Sequence, residues 1–536
     1  MTQYSLDRPL EFLSQKSVDR RFKRKSPINI TDIPVSQIYL NQVAKVAGLF
    51  IINRSKWLNA IEIKTNGKTS VIDQLRQLPC VAHVEFLGRI KDRAKPSMEA
   101  ITETDYQKAQ ELAQDKKDAL TASDYGKALV QNRLIGINEL QKNNMADRMH
   151  IAVFDAGFFN AYKVKGMEDL LLPDVITKDF VDYDNSVWED DRHGANVLSF
   201  MKTWNPGTYI GSAPLAHYTL IRTENPTSEY PTEEVNWLFA AEFADSIGAD
   251  LIVSSLGYHT FDDSTLSHTY AQLDGQSSII AKAANFAYIK GMMVVTSAGN
   301  EGMNKWHRIG TPSDAAGVIG IGACDENGFY VKFSSLGPSA DKRVKPDFLA
   351  LGYKAMVASP NGLYAGNGTS YSTPIFGGGM ACLMQACPDK TFDEIRQALV
   401  MSSTHHQHPD SAYGNGLPDF NLALNILGYF NPQDTISDYF YTKTTPVFFQ
   451  DLGIHFRSKS SQTVKISIKG QRKKKLRNLF HDSYRLKPGE WIHEEALFTL
   501  YNQEIKKKRK HKLSTLILII ETENGTIQKT IRLSYD

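Results

Sequence analysis

His150-Ile-Ala-Val-Phe-Asp155-Ala-Gly157 is the stretch that decides the fold: a short apolar run that ends on an aspartate and a glycine. A run of this length bounded by turn residues reads as a strand buried on both faces, and it delivers Asp155 to the strand's C-terminal end. From about residue 145 to 425 such runs recur at 151–154, 217–221, 251–254 and 292–296, alternating with helical patterns at 235–244 and 279–290. Strands alternating with helices argue for an α/β fold, a parallel sheet flanked by crossover helices.

Outside that region the pattern changes. Residues 1 to about 120 read as a small α+β unit, strand-like at 47–52, 57–64 and 81–86 with a helix at 71–77, followed by a charged helical linker at 104–117. After Asn431-Pro432 the apolar residues alternate, as at 463–468 and 516–520, which suggests a small antiparallel β domain. The expected domains are therefore 1–122, 123–430 and 431–536, in keeping with a 536-residue chain too long for one core.

Composition narrows the function classes. A net charge of +2 on balanced acids and bases gives no general reason to expect a nucleic acid partner. The basic runs at 473–475 and Lys506-Lys507-Lys508-Arg509-Lys510-His511-Lys512 read as solvated hairpin loops, with an anionic surface as the alternative. Cys80, Cys324, Cys382 and Cys387 are too few for a disulfide framework and read as buried thiols. No stretch reaches the ~18 apolar residues of a transmembrane segment. Residues 1–25 are rich in charge and show no apolar signal core, so the chain reads either as cytoplasmic or as exported with its signal outside this numbering.

Three more segments place a reactive side chain beside glycine at the end of a strand or the start of a helix: Asp191-Arg-His193-Gly, Ser297-Ala-Gly-Asn300-Glu-Gly302 and Gly366-Asn-Gly-Thr-Ser370-Tyr-Ser-Thr-Pro374. In open α/β sheets that edge is where ligands bind. Each segment alone is weak, since a serine before a helix is commonly an N-cap and an asparagine in a glycine-rich loop commonly supports a turn. The ordered set Asp155, His193, Asn300, Ser370, each in its own strand-loop-helix context, is specific. No G-x-S-x-G elbow and no H-E-x-x-H helix competes with it. His405-His406-x-His408 is a weaker metal candidate at a helix end.

With these residues in view the sequence resembles the subtilisin-like serine protease family through most of residues 123–430. The similarity extends to Gly211-Ser-Ala-Pro214, Ser255-Leu-Gly257, Phe333-Ser-Ser-Leu-Gly-Pro338, Lys345-Pro-Asp347 and Gly414-Asn-Gly-Leu-Pro-Asp419. Two departures stand out. Where the family usually has Gly-Thr-His near the catalytic histidine, Ala195-Asn196 follow Gly194, and where it usually has Met-Ala-x-Pro-His after the nucleophile, this chain reads Tyr371-Ser-Thr-Pro-Ile375.

The resemblance implies a serine endopeptidase acting through an acyl-enzyme. A serine hydroxyl is a poor nucleophile until a base removes its proton, and a histidine of pKa ~6.5 can do so at neutral pH. Asp155 would orient His193 and stabilise its imidazolium, His193 would activate Ser370, and Asn300 with the Ser370 backbone N–H would bind the oxyanion. Ser255, Leu256 and Gly257 would offer main-chain groups to an extended peptide, with Ala298 and Gly299 as the facing wall of the specificity pocket. Glu301 would lie near its mouth and Tyr258 would narrow it.

The resemblance also implies an N-terminal inhibitor-like propeptide, carried chiefly by Leu75-Arg-Gln-Leu-Pro-Cys-Val-Ala-His-Val-Glu-Phe86, and thus a self-processed zymogen whose own N-terminal region is an intramolecular inhibitor. That argues for secretion or a cell-envelope location. No cofactor is required for the chemistry. Structural calcium is common among relatives, and the acidic run Asp182-Tyr-Asp184 and Glu189-Asp-Asp191 is the candidate, with no ligands assigned. The alternative reading is a catalytically silent binding or scaffold protein on the same fold, against which stands the intact set of four active-site residues.

Overall fold

The computed structural model describes residues 4–89, 100–114 and 120–428, and beyond these the strands at 439–442, 454–457, 462–472, 475–486, 491–494, 515–522 and 525–532. The basic run at 506–512, Lys473, Lys474, Asn431 and Pro432 lie outside the described residues. The chain divides into two compact units, Met1–Leu427 and Gly428–Asp536.

The larger unit is built on seven parallel strands. In chain order these are β3 (His150–Asp155), β4 (Ile176–Asp179), β5 (His217–Arg222), β6 (Leu251–Ser254), β7 (Met293–Ser297), β8 (Val318–Cys324) and β9 (Phe348–Leu351), preceded by β1 and β2 of an N-terminal hairpin described below. They lie side by side as β9-β8-β7-β6-β3-β5-β4. Alternating side chains serve the two faces. Ala152, Phe154, Ile252 and Val294 pack with helices α5 (Thr232–Ile247) and α6 (Ile279–Ile289). Val253, pointing the other way, meets helix α7 (Thr369–Ala386) at Gly377.

Helix α7 explains its own unusual sequence. Three successive glycines cost about 1 kcal/mol each in helix propensity. A Cβ on Gly377, Gly378 or Gly379 would sit 2.7 Å from Val253 Cγ2, 2.0 Å from Ser212 Oγ and 2.8 Å from Ile137 Cδ1. Their absence lets the helix that carries Ser370 lie directly on the sheet.

The N-terminal region forms helix α1 (Gln15–Arg24), the antiparallel pair β1 (Leu49–Ser55) and β2 (Ala60–Thr65), helix α2 (Thr69–Gln77) and helix α3 (Glu103–Gln114). Val43, Val46, Val71 and Leu75 form a small core of their own. Two expectations are corrected here. Trp57 lies in the turn between β1 and β2, where Glu242 of α5 accepts the backbone N–H groups of Lys56 and Trp57, and its ring stacks on Phe286 at 6.0 Å. Residues 81–86 are not in a strand ladder; instead Leu87 O accepts from Thr232 N at 3.1 Å at the start of α5.

The segment before residue 47, for which the sequence pattern shows no element, docks through buried charge. Arg20, Arg21 and Lys56 converge on Asp245 near the C-terminus of α5, Arg21 also reaches Asp32 at 2.8 Å, and Lys290 pairs with Asp32 at 2.7 Å. Of the thiols, Cys324, Cys382 and Cys387 are buried and Cys80 is half-buried, all unpaired.

In the smaller unit, Gln462–Arg472, Lys475–Leu486, Thr515–Thr522 and Gly525–Arg532 form an antiparallel four-stranded sheet, and Tyr439–Thr442, Ile454–Arg457 and Trp491–Glu494 a three-stranded one. Among the described residues no helix is long and apolar enough to cross a membrane.

Candidate active site

Four loops at the carboxyl edge of the sheet bring the candidate residues together. Asp155 is the last residue of β3 and fully buried; its Oδ1 accepts from Ala156 N at 2.8 Å and from His193 Nδ1 at 2.8 Å. His193 opens helix α4 (His193–Lys202), where its backbone N–H donates to Asp191 Oδ1 at 2.7 Å. The neighbouring glycines permit this approach. A Cβ on Gly194 would lie 2.3 Å from Gly157 O and 2.8 Å from Asp155 Cβ, and Gly157 itself adopts φ +149°.

Burial pushes the pKa of the His193 imidazole down, but the charge and hydrogen bond of Asp155 outweigh that, leaving it above the ordinary 6.5.

Ser370 stands in the first turn of α7, where its backbone N–H has no intrahelical acceptor and forms part of the positive end of the helix dipole. Pro374, four residues on, has no N–H to give the Ser370 carbonyl. Ser255 Oγ supplies the missing donor at 3.0 Å, and the Ser370 hydroxyl donates back to Ser255 O at 3.5 Å. Among the described residues no hydrogen bond joins Ser370 to His193. Bonds of this kind commonly tighten only when substrate is in place. The loops are coupled one residue further on, where Tyr371 packs on Phe200 of α4 at 5.1 Å.

Asn300 follows β7 and is exposed. Its Oδ1 accepts from Thr369 N at 2.9 Å and Thr369 Oγ1 at 3.1 Å. With the amide oxygen held by two donors, the Nδ2 group is the end left to donate into the cleft beside Ser370.

Strands β6 and β7 are hydrogen-bonded neighbours, so the segments that follow them, Ser255-Leu256-Gly257 and Ala298-Gly299, emerge side by side. Leu256 is anchored in the core, while Gly257 is exposed and takes no backbone hydrogen bond among the described residues. Ala298 is fully buried, and Gly299, at φ +107°, packs on Ser335. The Tyr258 ring is 1 % exposed and stacks on Phe261. Glu301 is bonded by Asn304 and lies 3.8 Å from His259, which holds its carboxyl below the usual range.

The family profile decides the identity. The subtilase family matches residues 148–416, half of the 536-residue chain, and the peptidase S8 propeptide domain of Bacteroidota matches residues 1–104. The chain belongs to the subtilase family. It is thereby a subtilisin-family serine peptidase with a propeptide region, a hydrolase by class. Serine protease AprX of Bacillus subtilis (strain 168) is 28% identical over 269 residues, covering 44% of this chain and 59% of AprX, less than two thirds of its length. Subtilisin NAT of Bacillus subtilis subsp. natto is 25% identical over 351 residues, covering 63% of this chain and 83% of the relative. Among solved structures, MycP1 from the ESX-1 type VII secretion system aligns with TM-score 0.43 and 20% identity over 57% of this chain and 88% of that one.

One carboxylate cluster at the subtilase's acidic loop is taken by an arginine. Asp179, Asp182 and Asp190 gather closely, but the guanidinium of Arg222 already lies among them, at 2.7, 2.7 and 3.3 Å. A second carboxylate group, Glu224, Glu229 and Glu233, lies nearby; burial, reinforced by neighbouring negative charge, pushes all three pKa values up. His405 stacks on Tyr413 at 4.5 Å, and His406 Nδ1 lies 2.9 Å from Ser403 O. Neither Arg222 nor the N-terminal docking charges are legible as functional from spacing. The available signal for Arg222 is a charged residue ending an otherwise apolar strand.

Proposed function

We propose that this subtilase is an endopeptidase that cleaves proteins through Asp155, His193 and Ser370, made as a zymogen and cut by its own active site. The observation that carries the reading is the 2.8 Å contact of His193 Nδ1 with Asp155 Oδ1 at the same sheet edge as the Ser370 helix start. His193, oriented by Asp155, takes the Ser370 proton as Oγ attacks the scissile carbonyl. Asn300 Nδ2 and the Ser370 N–H hold the oxyanion, His193 returns the proton to the leaving amine, and water resolves the acyl-enzyme. Ser255 to Gly257 bind the peptide as an added strand, against Ala298 and Gly299. A location outside the cytoplasm, secreted or on the envelope, accords with a propeptide-bearing subtilase. No cofactor enters this chemistry.

The imidazole must be neutral to accept a proton. Because Asp155 raises its pKa, kcat/KM should fall as the pH drops through a midpoint above 6.5. A profile flat from pH 6 to 8 would rule out a histidine base.

Asn300→Ala should lower kcat by about 10²–10³ with KM little changed, a magnitude established on a subtilisin rather than on this chain. An effect confined to KM would place Asn300 in substrate binding instead.

A further inference from the structure

We propose that Arg222 is a positioning residue for the active site, holding the turn after Asp155 and the loop leading into His193 in one arrangement. It ends β5 directly opposite Asp155 in the sheet register, and Thr223 N donates to Asp155 O at 3.0 Å. Its side chain is fully buried. Arg222 Nε donates to Ala156 O at 3.3 Å, the carbonyl immediately after Asp155. Its Nη1 reaches Asp179 and Asp182, and also Asp190, which precedes by one residue the Asp191 carboxylate that receives the His193 N–H.

One planar cation thus ties together the strand end, the Asp155 turn and the His193 loop. Three carboxylates so placed would repel one another without it, and Asp179 and Asp190 are buried with side chains 0% and 1% exposed. A lysine keeps the charge but has no fork with which to bond the carbonyl and the carboxylates together. The consequence reaches the chemistry because the Asp155–His193 contact depends on the mutual placement of these two segments. A displacement of about 1 Å in such a contact can cost about 10²-fold in rate.

The proposal rests on the triad reading above, and the test separates the two. In the full chain, Arg222→Lys should lower kcat about tenfold or more with KM within about twofold, and should slow covalent labelling of Ser370 by a fluorophosphonate to the same degree, measured on protein shown to be folded. Labelling needs the histidine base but no peptide binding. A lower melting temperature with unchanged kcat and labelling rate would reduce Arg222 to a structural ion pair and overturn the proposal. If Arg222→Lys does not fold, Asp190→Asn carries the same expectation, and unchanged kcat there overturns it equally. Ser370→Ala is measured alongside: retained activity would remove the triad reading and this proposal with it, whereas an inactive Ser370→Ala beside an unaffected Arg222→Lys would overturn this proposal alone.

Discussion

Ser370→Ala should lose at least about 10³-fold in peptide hydrolysis and leave the protein folded, since it removes one hydroxyl at a helix mouth and no core group. The Ser370 carbonyl, which Ser255 Oγ braces in place of the N–H absent from Pro374, is untouched by the change. The same substitution should arrest maturation. Wild-type chain held at neutral pH is expected to cut itself between about residues 95 and 125, where the propeptide match gives way to the catalytic region. Helix α3 (Glu103–Gln114) lies inside that window, with Ala109 fully buried, so the cut is expected outside the helix. A protease cleft takes an extended strand, which a packed helix cannot offer without unwinding. Intact mass and N-terminal sequencing read both chains: Ser370→Ala should stay full length. A wild type that hydrolyses peptides yet remains uncut would make residues 1 to 120 a permanent domain and end the zymogen reading.

Asp245→Ala should destabilise the N-terminal docking by about 3–5 kcal/mol, the scale expected when one partner of a buried ion pair is removed. It would remove the carboxylate that Arg20 and Lys56 face and leave Arg21 with Asp32 alone; the three side chains are 2%, 12% and 1% exposed. Burial alone would raise the pKa of Asp245; Lys56, Arg20 and Arg21 more than reverse this and hold it well below the usual carboxylate range. A depressed folded-state pKa contributes stability that is present above the unfolded value of ~3.9 and lost as pH falls through the folded one. The docking should therefore hold at pH 5 as at pH 7. Denaturant unfolding of the full chain checks this, and a change below about 1 kcal/mol would mean that these charges are solvated in solution.

How much of this is legible in the sequence follows from where the physical cause lies. Strands β3, β5, β6 and β7 are apolar runs buried on both faces, so local composition reveals them. β4, Ile-Thr-Lys-Asp at the sheet edge, and β8, interrupted by Gly320 and Gly322, carry a weaker signal and escape that reading. Residues 81–86 have strand-like composition, but they join no strand ladder. The candidate residues Asp155, His193, Asn300 and Ser370 are legible because a glycine or a helix start stands beside each, as the close approach of Gly157 and Gly194 illustrates. Arg20, Arg21 and Arg222 look like solvated charges. Arg20 and Arg21 are not, because Asp245 meets them from 225 and 224 residues away. Arg222 meets Asp179 from 43 residues away. No local pattern encodes such pairings.

The most direct test of the central claim is to treat the full-length chain with a fluorophosphonate and map the adduct by peptide mass spectrometry. The expected result is one equivalent of phosphonate on Ser370, loss of peptidase activity in proportion to labelling, and no adduct in Ser370→Ala. Full activity in the face of complete labelling, or a stoichiometric adduct on any other serine, would contradict it.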